Sequence, residues 1–437
     1  MTRLRLLLLG AALVAASAPR ADTVQASSTT LLLGRQDWRD GSLQTAVPLY
    51  ELVNLDASDV RTPYANFEIA LSTWGALDMA DVRFWQNGAL TGSRFTGDVN
   101  VGFIRASFLG QRLSLKLGRQ MVADGNARMV QLDGGEARLL LPAGFGLSGY
   151  AGSPVAPRFA TRGGNLAVGN IHATFATGGR VSWQYPGLLD VGASLAMATD
   201  HGDPIRQDMG ADVRLTPHRL VQLTGSTWWS LYEGRLGEAS FAALLFPVRH
   251  LDVTVDYRHI LPDLFLPRNS ILSVFVSEKR NDLGGAVRFG GVKNLVLDAD
   301  YHLLLQDSGQ GHWARGKATL HPTGPATTVG AELSLLKNAG GTSEINDNGY
   351  QEVRLFGARQ LARAVTGTLD LMAYFFDKDV NGQSRSLAAT ATLAYELPRG
   401  WRAALAGTAG STPYLETQFE IMAKLAYQQT YAVRRVK

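Results

Sequence analysis

The chain has 437 residues, of which 46% are hydrophobic and 18% charged, with no cysteine and a formal net charge of +4 at pH 7. The lack of cysteine excludes disulfide, zinc-thiolate and thiol redox chemistry, and so small a net charge gives no footprint for a nucleic-acid partner. Beyond the N-terminus no run of about 20 apolar residues occurs, which excludes a bundle of membrane-spanning helices, and the apolar content excludes a disordered chain.

Arg3 and Arg5 precede the apolar run Leu6 to Val14, and the small residues Ala15, Ala16, Ser17 and Ala18 follow. A charged, an apolar and a small-residue zone in that order predict a signal peptide over 1–21 and a mature protein outside the cytoplasm. Cleavage after Ala18 would leave Pro19 as the first residue, an awkward start, and cleavage near Ala21 is the other option. No cysteine follows, so lipoprotein processing is excluded. The expected organisation continues with an N-terminal periplasmic segment over 22–45, a barrel over 46–428 and a C-terminal tail over 429–437.

Period-2 alternation begins near 63–75 and returns in 99–108 and 112–121. Gly144-Phe145-Gly146-Leu147-Ser148-Gly149 matches a dinucleotide-binding glycine pattern. The residues after it continue as strand, so no helix N-terminus is there to hold a pyrophosphate. Strand patterns follow at 175–185, 188–198 and 209–231. In 250–259, Leu251, Val253, Val255 and Tyr257 share one parity, and Asp252, Thr254, Asp256 and Arg258 the other. In 294–306, Leu295, Leu297, Ala299, Tyr301, Leu303 and Leu305 oppose Asn294, Asp298, Asp300, His302 and Gln306. Gly311, Gly316 and Lys317 fit part of a phosphate-binding loop, but Ala318 stands where a hydroxyl is required and strand follows. In 364–376, Leu369, Leu371, Ala373 and Phe375 oppose Thr366, Thr368 and Asp370. Alternation resumes over 385–408. In 416–427, Phe419, Ile421, Ala423, Leu425 and Tyr427 oppose Gln418, Glu420 and Lys424. Leu304, Met372 and Phe376 blur the pattern by falling on the polar parity.

Tight connections, such as Pro186-Gly187 and Leu397-Pro398-Arg399-Gly400, separate longer polar stretches at 152–170, 199–208, 260–282, 306–314, 337–349, 377–385 and 409–416. The predicted fold is all-β: one large antiparallel transmembrane β-barrel of roughly 18–22 strands, with short periplasmic turns and longer extracellular loops. A soluble sandwich would alternate as well. The aromatics Trp183, Tyr185, Tyr395 and Trp401 at strand ends favour a membrane girdle, and no blade-length repeat supports a propeller.

In such a barrel one parity meets hydrocarbon and the other the lumen. The lumen-lining candidates are Asp252, Asp256, Arg258, Asp298, Asp300, His302, Asp370 and Glu420. Both signs are present, so the wall predicts weak ion selectivity. The apolar stretch within 260–282 makes Leu264, Phe265, Leu266 and Arg268 the candidates for a constriction loop. Asp377, Asp379 and Asn381 fit the first half of a calcium loop, but Ala388 occupies the place of the bidentate glutamate, and a solvated hairpin is the better reading. No other metal site, no cofactor site and no nucleophile–base pair stands out, so no enzyme is expected.

Ser72-Thr73-Trp74-Gly75, Leu117-Gly118-Arg119-Gln120 and Gln131-Leu132-Asp133-Gly134 resemble segments of carbohydrate-type porins and of the alginate-export group. The run from Phe265 to Phe275 resembles barrels found with exopolysaccharide secretion systems. The resemblance implies an outer-membrane pore for carbohydrate, and specifically export of a polysaccharide. The alternatives are a general diffusion porin for small solutes and a structural barrel that transports nothing. Implied partners are outer-membrane lipid and lipopolysaccharide, the barrel assembly machinery, a periplasmic polysaccharide export protein and a carbohydrate cargo, but no nucleic acid. The aromatic C-terminal residue usual in such barrels is missing: Tyr431 is followed by Ala432-Val433-Arg434-Arg435-Val436-Lys437.

Overall fold

A chain with one face against hydrocarbon can satisfy its backbone only by pairing every strand, and a closed ring leaves no edge. The computed structural model describes residues 21–39, 42–80, 85–86, 89–90, 95–123, 125–127, 130–155, 174–261, 279–338, 348–413 and 415–432. These form a closed antiparallel barrel of 22 strands with almost no helix.

The first strands are β1 (Ala21–Arg39), β2 (Pro48–Arg61), β3 (Asn66–Asp78), β4 (Phe95–Phe108), β5 (Leu113–Val122) and β6 (Val130–Leu140). Next come β7 (Phe145–Pro154), β8 (Thr174–Tyr185), β9 (Leu189–Asp200), β10 (Asp203–His218), β11 (Val221–Ser230) and β12 (Arg235–Val248). They are followed by β13 (Leu251–Ile260), β14 (Arg280–Val292), β15 (Leu295–Gln306), β16 (Gly309–Leu320) and β17 (Thr327–Lys337). The ring ends with β18 (Tyr350–Ala362), β19 (Val365–Val380), β20 (Gln383–Glu396), β21 (Trp401–Thr412) and β22 (Leu415–Ala432). Each strand pairs with its sequence neighbours. β1 closes the ring, pairing with β22 from Thr23↔Ala432 to Arg35↔Glu420 and with β2 from Ala21↔Val60 to Leu32↔Leu49.

An even strand number brings the start of β1 and the end of β22 to one end of the barrel, the end of the tight turns. There the connections after β6 and β20 are twins. Pro142–Gly144 and Pro398–Gly400 are single 3-10 turns in which Ala143 (φ 60°) and Arg399 (φ 62°) are left-handed. The following glycines are required: a Cβ on Gly144 or Gly400 would sit 2.0 Å from a carbonyl oxygen of the adjacent strand. Trp183 Nε1 donates to the Ala143 carbonyl at 3.0 Å, pinning the first of these turns.

The structure changes several expected boundaries. The stretch 22–45, read as a periplasmic segment, contains most of β1, so the barrel starts at Ala21 rather than 46. β22 runs to Ala432, into the expected tail. The stretch 1–21, expected as a signal peptide, lies outside the described residues apart from Ala21. Four stretches expected as long loops, 199–208, 306–314, 377–385 and 409–416, are largely strand. β9–β10, β15–β16 and β19–β20 turn on His201-Gly202, Asp307-Ser308 and Asn381-Gly382. Polar side chains made these strand extensions look like loops, because above the hydrocarbon neither face needs to be apolar.

The outer face is apolar. Leu195, Leu333 and Leu405 are each 57% exposed, against the usual rule that leucine is buried, as lipid contact requires. The buried hydrophobic clusters are small and lie along the wall: Trp74 and Ala76 with Tyr50 and Leu52, and Val122, Leu132 and Tyr150 with Val130.

Candidate functional site

The inner face is identified by a crossing segment. The connection from β5 to β6 departs from the wall, and its Ala127 N–H donates to Ser194 Oγ on β9 at 2.9 Å. Asn126 Nδ2 donates to the Ala211 carbonyl on β10 at 3.3 Å. A link between β5 and β6 reaches β9 and β10 along the chord inside the ring, so Ser194 faces inward. Gly125 (φ 74°) fits because a Cβ there would lie 2.4 Å from Nη1 of Arg180. Arg180 in turn forks both carboxylate oxygens of Asp212 on β10. This strap narrows the cross-section. The constriction expected at Leu264, Phe265, Leu266 and Arg268 lies outside the described residues.

Register carries the inner face around the ring. From Asp212 it passes through Ser226 and Ser240 to Arg258, and the parity of β13 then puts Asp252 and Asp256 on the same face. Asp252 faces Arg288, which faces Asp298, then Lys317, Glu332 and Arg354, so the sign alternates strand by strand. Arg288 lies 3.8 Å from Asp298, and Lys317 lies 4.0 Å from Glu332. Arg354 Nε donates to Asp370 at 3.0 Å. Arg315 and Asp300 are 2.6 Å apart, Arg258 and Glu238 2.9 Å, and His302 Nδ1 and Asp256 3.7 Å. Glu420 is the register partner of Arg35 across the closure. Every lumen-lining candidate picked out from sequence therefore has an opposite or polar neighbour. Such pairs hold the wall wet and neutral.

An aromatic row runs beside these charges. His302, Trp313, Leu336, Tyr350 and Phe376 are successive register partners from β15 to β19. The His302 and Trp313 rings are 5.3 Å apart, Tyr350 meets Tyr374 edge-on at 5.4 Å, and Tyr374 stacks on Phe376 at 6.5 Å. Phe376, which blurred the alternation, belongs to this inward row.

The two short motifs Leu117-Gly118-Arg119-Gln120 and Gln131-Leu132-Asp133-Gly134 meet in space. Arg119 forks Asp133 with bonds of 2.7 and 2.8 Å and reaches Asp98 at 2.9 Å. Gly118 (φ 124°) sets this up, since a Cβ there would lie 2.2 Å from the Gly102 carbonyl.

Sequence reading missed Arg315, Glu332, Glu352, Arg354, Trp313 and Tyr350. They sit on β16 to β18, with Trp313 inside one stretch taken as a loop and Tyr350 directly after another; for Trp313 and Arg315 the signal available was the parity that they share with Lys317. The half calcium loop is a hairpin: Asp377 and Asp379 are on extended β19, and Asn381 (φ 50°) and Gly382 (φ 76°) make the turn. An extended strand cannot wrap a cation, and among the described residues no cluster of three His, Asp or Glu is placed to hold a metal.

No protein-family model matches the chain, and no curated protein matches it in sequence. Among solved structures it is similar to the P pilus usher PapC translocation pore, at 8% identity and TM-score 0.48 over 94% of this chain and 100% of that one. It is also similar to Pseudomonas aeruginosa OccK8 (OprE), at 10% identity and TM-score 0.46 over 95% and 100% of the two chains. Acinetobacter baumannii OccAB4 aligns at 10% identity and TM-score 0.45 over 94% and 99%. The likeness is one of barrel architecture.

Proposed function

We propose that the protein is an outer-membrane diffusion pore for small hydrophilic solutes, with sugars as the solutes that its wall suits best. The observation that carries this is the closed 22-strand ring, apolar outside and lined inside by cross-paired charges. With strands about 4.8 Å apart and tilted by about 40°, a circular ring of this size is about 44 Å across between backbones, too wide for its own side chains to fill. Among the described residues nothing outside the strands is large enough to plug it. The aromatic row supports sugars. Ring faces stack on the apolar faces of saccharides, and neighbouring Glu352, Arg354 and Arg315 supply partners for hydroxyls, so that no polar group is stranded when water leaves. Export of a long polymer is less well supported, because the strap at 125–127 takes up part of the cross-section.

The test is single-channel recording in a planar bilayer. Steps of conductance are expected without any ligand, and oligosaccharides should block them transiently. Trp313→Ala should shorten the blocks several-fold. If no conductance steps appear, the pore reading fails. Open channels indifferent to every saccharide would leave the diffusion pore and remove the sugars.

A further inference from the structure

The outer face at the loop end is not uniformly apolar. On β13 to β17 its upper positions carry Tyr257, His259, Asn281, Tyr301, His312 and Lys337, on the same parities as the exposed Val255, Leu283, Leu297 and Leu333. Asn281 Oδ1 accepts from the Tyr257 hydroxyl at 2.9 Å and lies 2.8 Å from His259 Nδ1. The Tyr301 hydroxyl lies 2.8 Å from His312 Nδ1. His312 is the register partner of Lys337, which is exposed and makes no ion pair among the described residues.

We propose that this belt binds the phosphates of a glycolipid in the outer leaflet. Hydrocarbon would leave the Lys337 ammonium and the side-chain amide N–H donors of Asn281 unsatisfied, at a cost for each. The belt lies on the loop-end half of the outer face, the side of outer-leaflet headgroups, with Leu303 and Leu305 of β15 among its polar members. It spans four strand spacings, about 19 Å, which is wider than a single phosphodiester headgroup and suits a sugar headgroup bearing separated phosphates. Lys337 supplies the point charge, and the Asn281 amide and, with the Tyr301 hydroxyl donating to Nδ1, the His312 Nε2–H supply directional donors, the pairing that phosphate oxygens need. The inference rests on the outer-membrane reading, but not on what the pore passes.

The full-length barrel in detergent micelles is titrated with bis-phosphorylated lipid A, and binding is followed by native mass spectrometry. Lys337→Gln with His312→Gln should weaken binding about tenfold, as loss of charge-assisted contacts implies. Enzymatically dephosphorylated lipid A should bind the unaltered protein as poorly, and phosphatidylglycerol should not displace the phosphorylated form. Heat-modifiable migration on gels checks that the double variant is folded. If it is not, the comparison of phosphorylated and dephosphorylated lipid on the unaltered protein decides alone. Equal affinity of parent and folded double variant, equal affinity for the two lipids, or displacement by phosphatidylglycerol would overturn the proposal. Conductance recorded on the same preparation tells this failure from failure of the pore reading.

Discussion

Along any one strand, neighbouring residues live in different solvents. Leu371 on β19 is 38% exposed and packs beside Leu355 and Ala389 on the outer face, while Asp370 turns inward to Arg354. Leu371→Arg should therefore destabilise the barrel by about 2–4 kcal/mol if it lies near mid-membrane, the cost of a cation in that position. Asp370→Asn should cost far less, because water in the lumen can solvate the Arg354 that it leaves. A folding titration of both variants into lipid vesicles checks this, and equal losses would contradict the assignment of faces. Period-2 alternation made this contrast legible without any structure. It could not show exceptions that depend on a neighbouring strand. Glu51 lies on the outer parity with Leu71 and Leu77, yet its carboxylate accepts from the Ser28 and Thr30 hydroxyls of β1, the latter at 2.5 Å. Only the pairing of β1 with β2 brings those donors to it, and β1 itself was hidden in a stretch of Ser and Thr that carries little alternation.

Element by element, the sequence marked the tight-turn end better than the loop end. Pro and Gly fix left-handed turn geometry locally, so Leu397-Pro398-Arg399-Gly400 announced its turn from four residues. Elsewhere a proline does not mark the turn itself: a bulge carries β10 past Pro217 to His218, and the chain turns at Arg219 and Leu220. The strap was illegible because nothing local makes Gly125-Asn126-Ala127 fold inward. Its acceptor, Ser194, lies 67 residues further along the chain. Ser194 is 2% exposed and also donates to the Gly210 carbonyl at 3.4 Å, so it joins the strap to two wall strands. Ser194→Ala strands the Ala127 N–H, and loss of one buried partner costs about 1–3 kcal/mol, enough to free a short segment without unfolding a barrel. Added with Asn126→Ala, it should raise single-channel conductance or add open-channel noise. A quiet trace of unchanged conductance from a folded double variant would mean that the strap does not limit flow.

Taken whole, the described residues form a ring whose inner charges stand mostly in opposite-sign pairs. A selective filter needs a ring of one sign at the narrowest level, because only unbalanced charge makes a potential that excludes co-ions. Here the row from Asp252 to Arg354 alternates at every strand, and Arg180–Asp212 beside the strap is itself a neutral pair. The field each pair projects into the lumen is a dipole's, and salt screens it within about 8–10 Å at ordinary ionic strength, well short of the axis of so wide a ring. Reversal potentials measured across a potassium chloride gradient should therefore lie close to zero and change little with salt. Removing one partner should break this balance in a predictable sense: Arg354→Gln leaves Asp370 uncompensated and should shift the reversal potential toward cation preference, while Glu332→Gln should shift it the other way. If the parent pore already prefers one sign strongly, some unpaired charge governs its narrowest level, and the paired wall described here is not what the permeating ion meets.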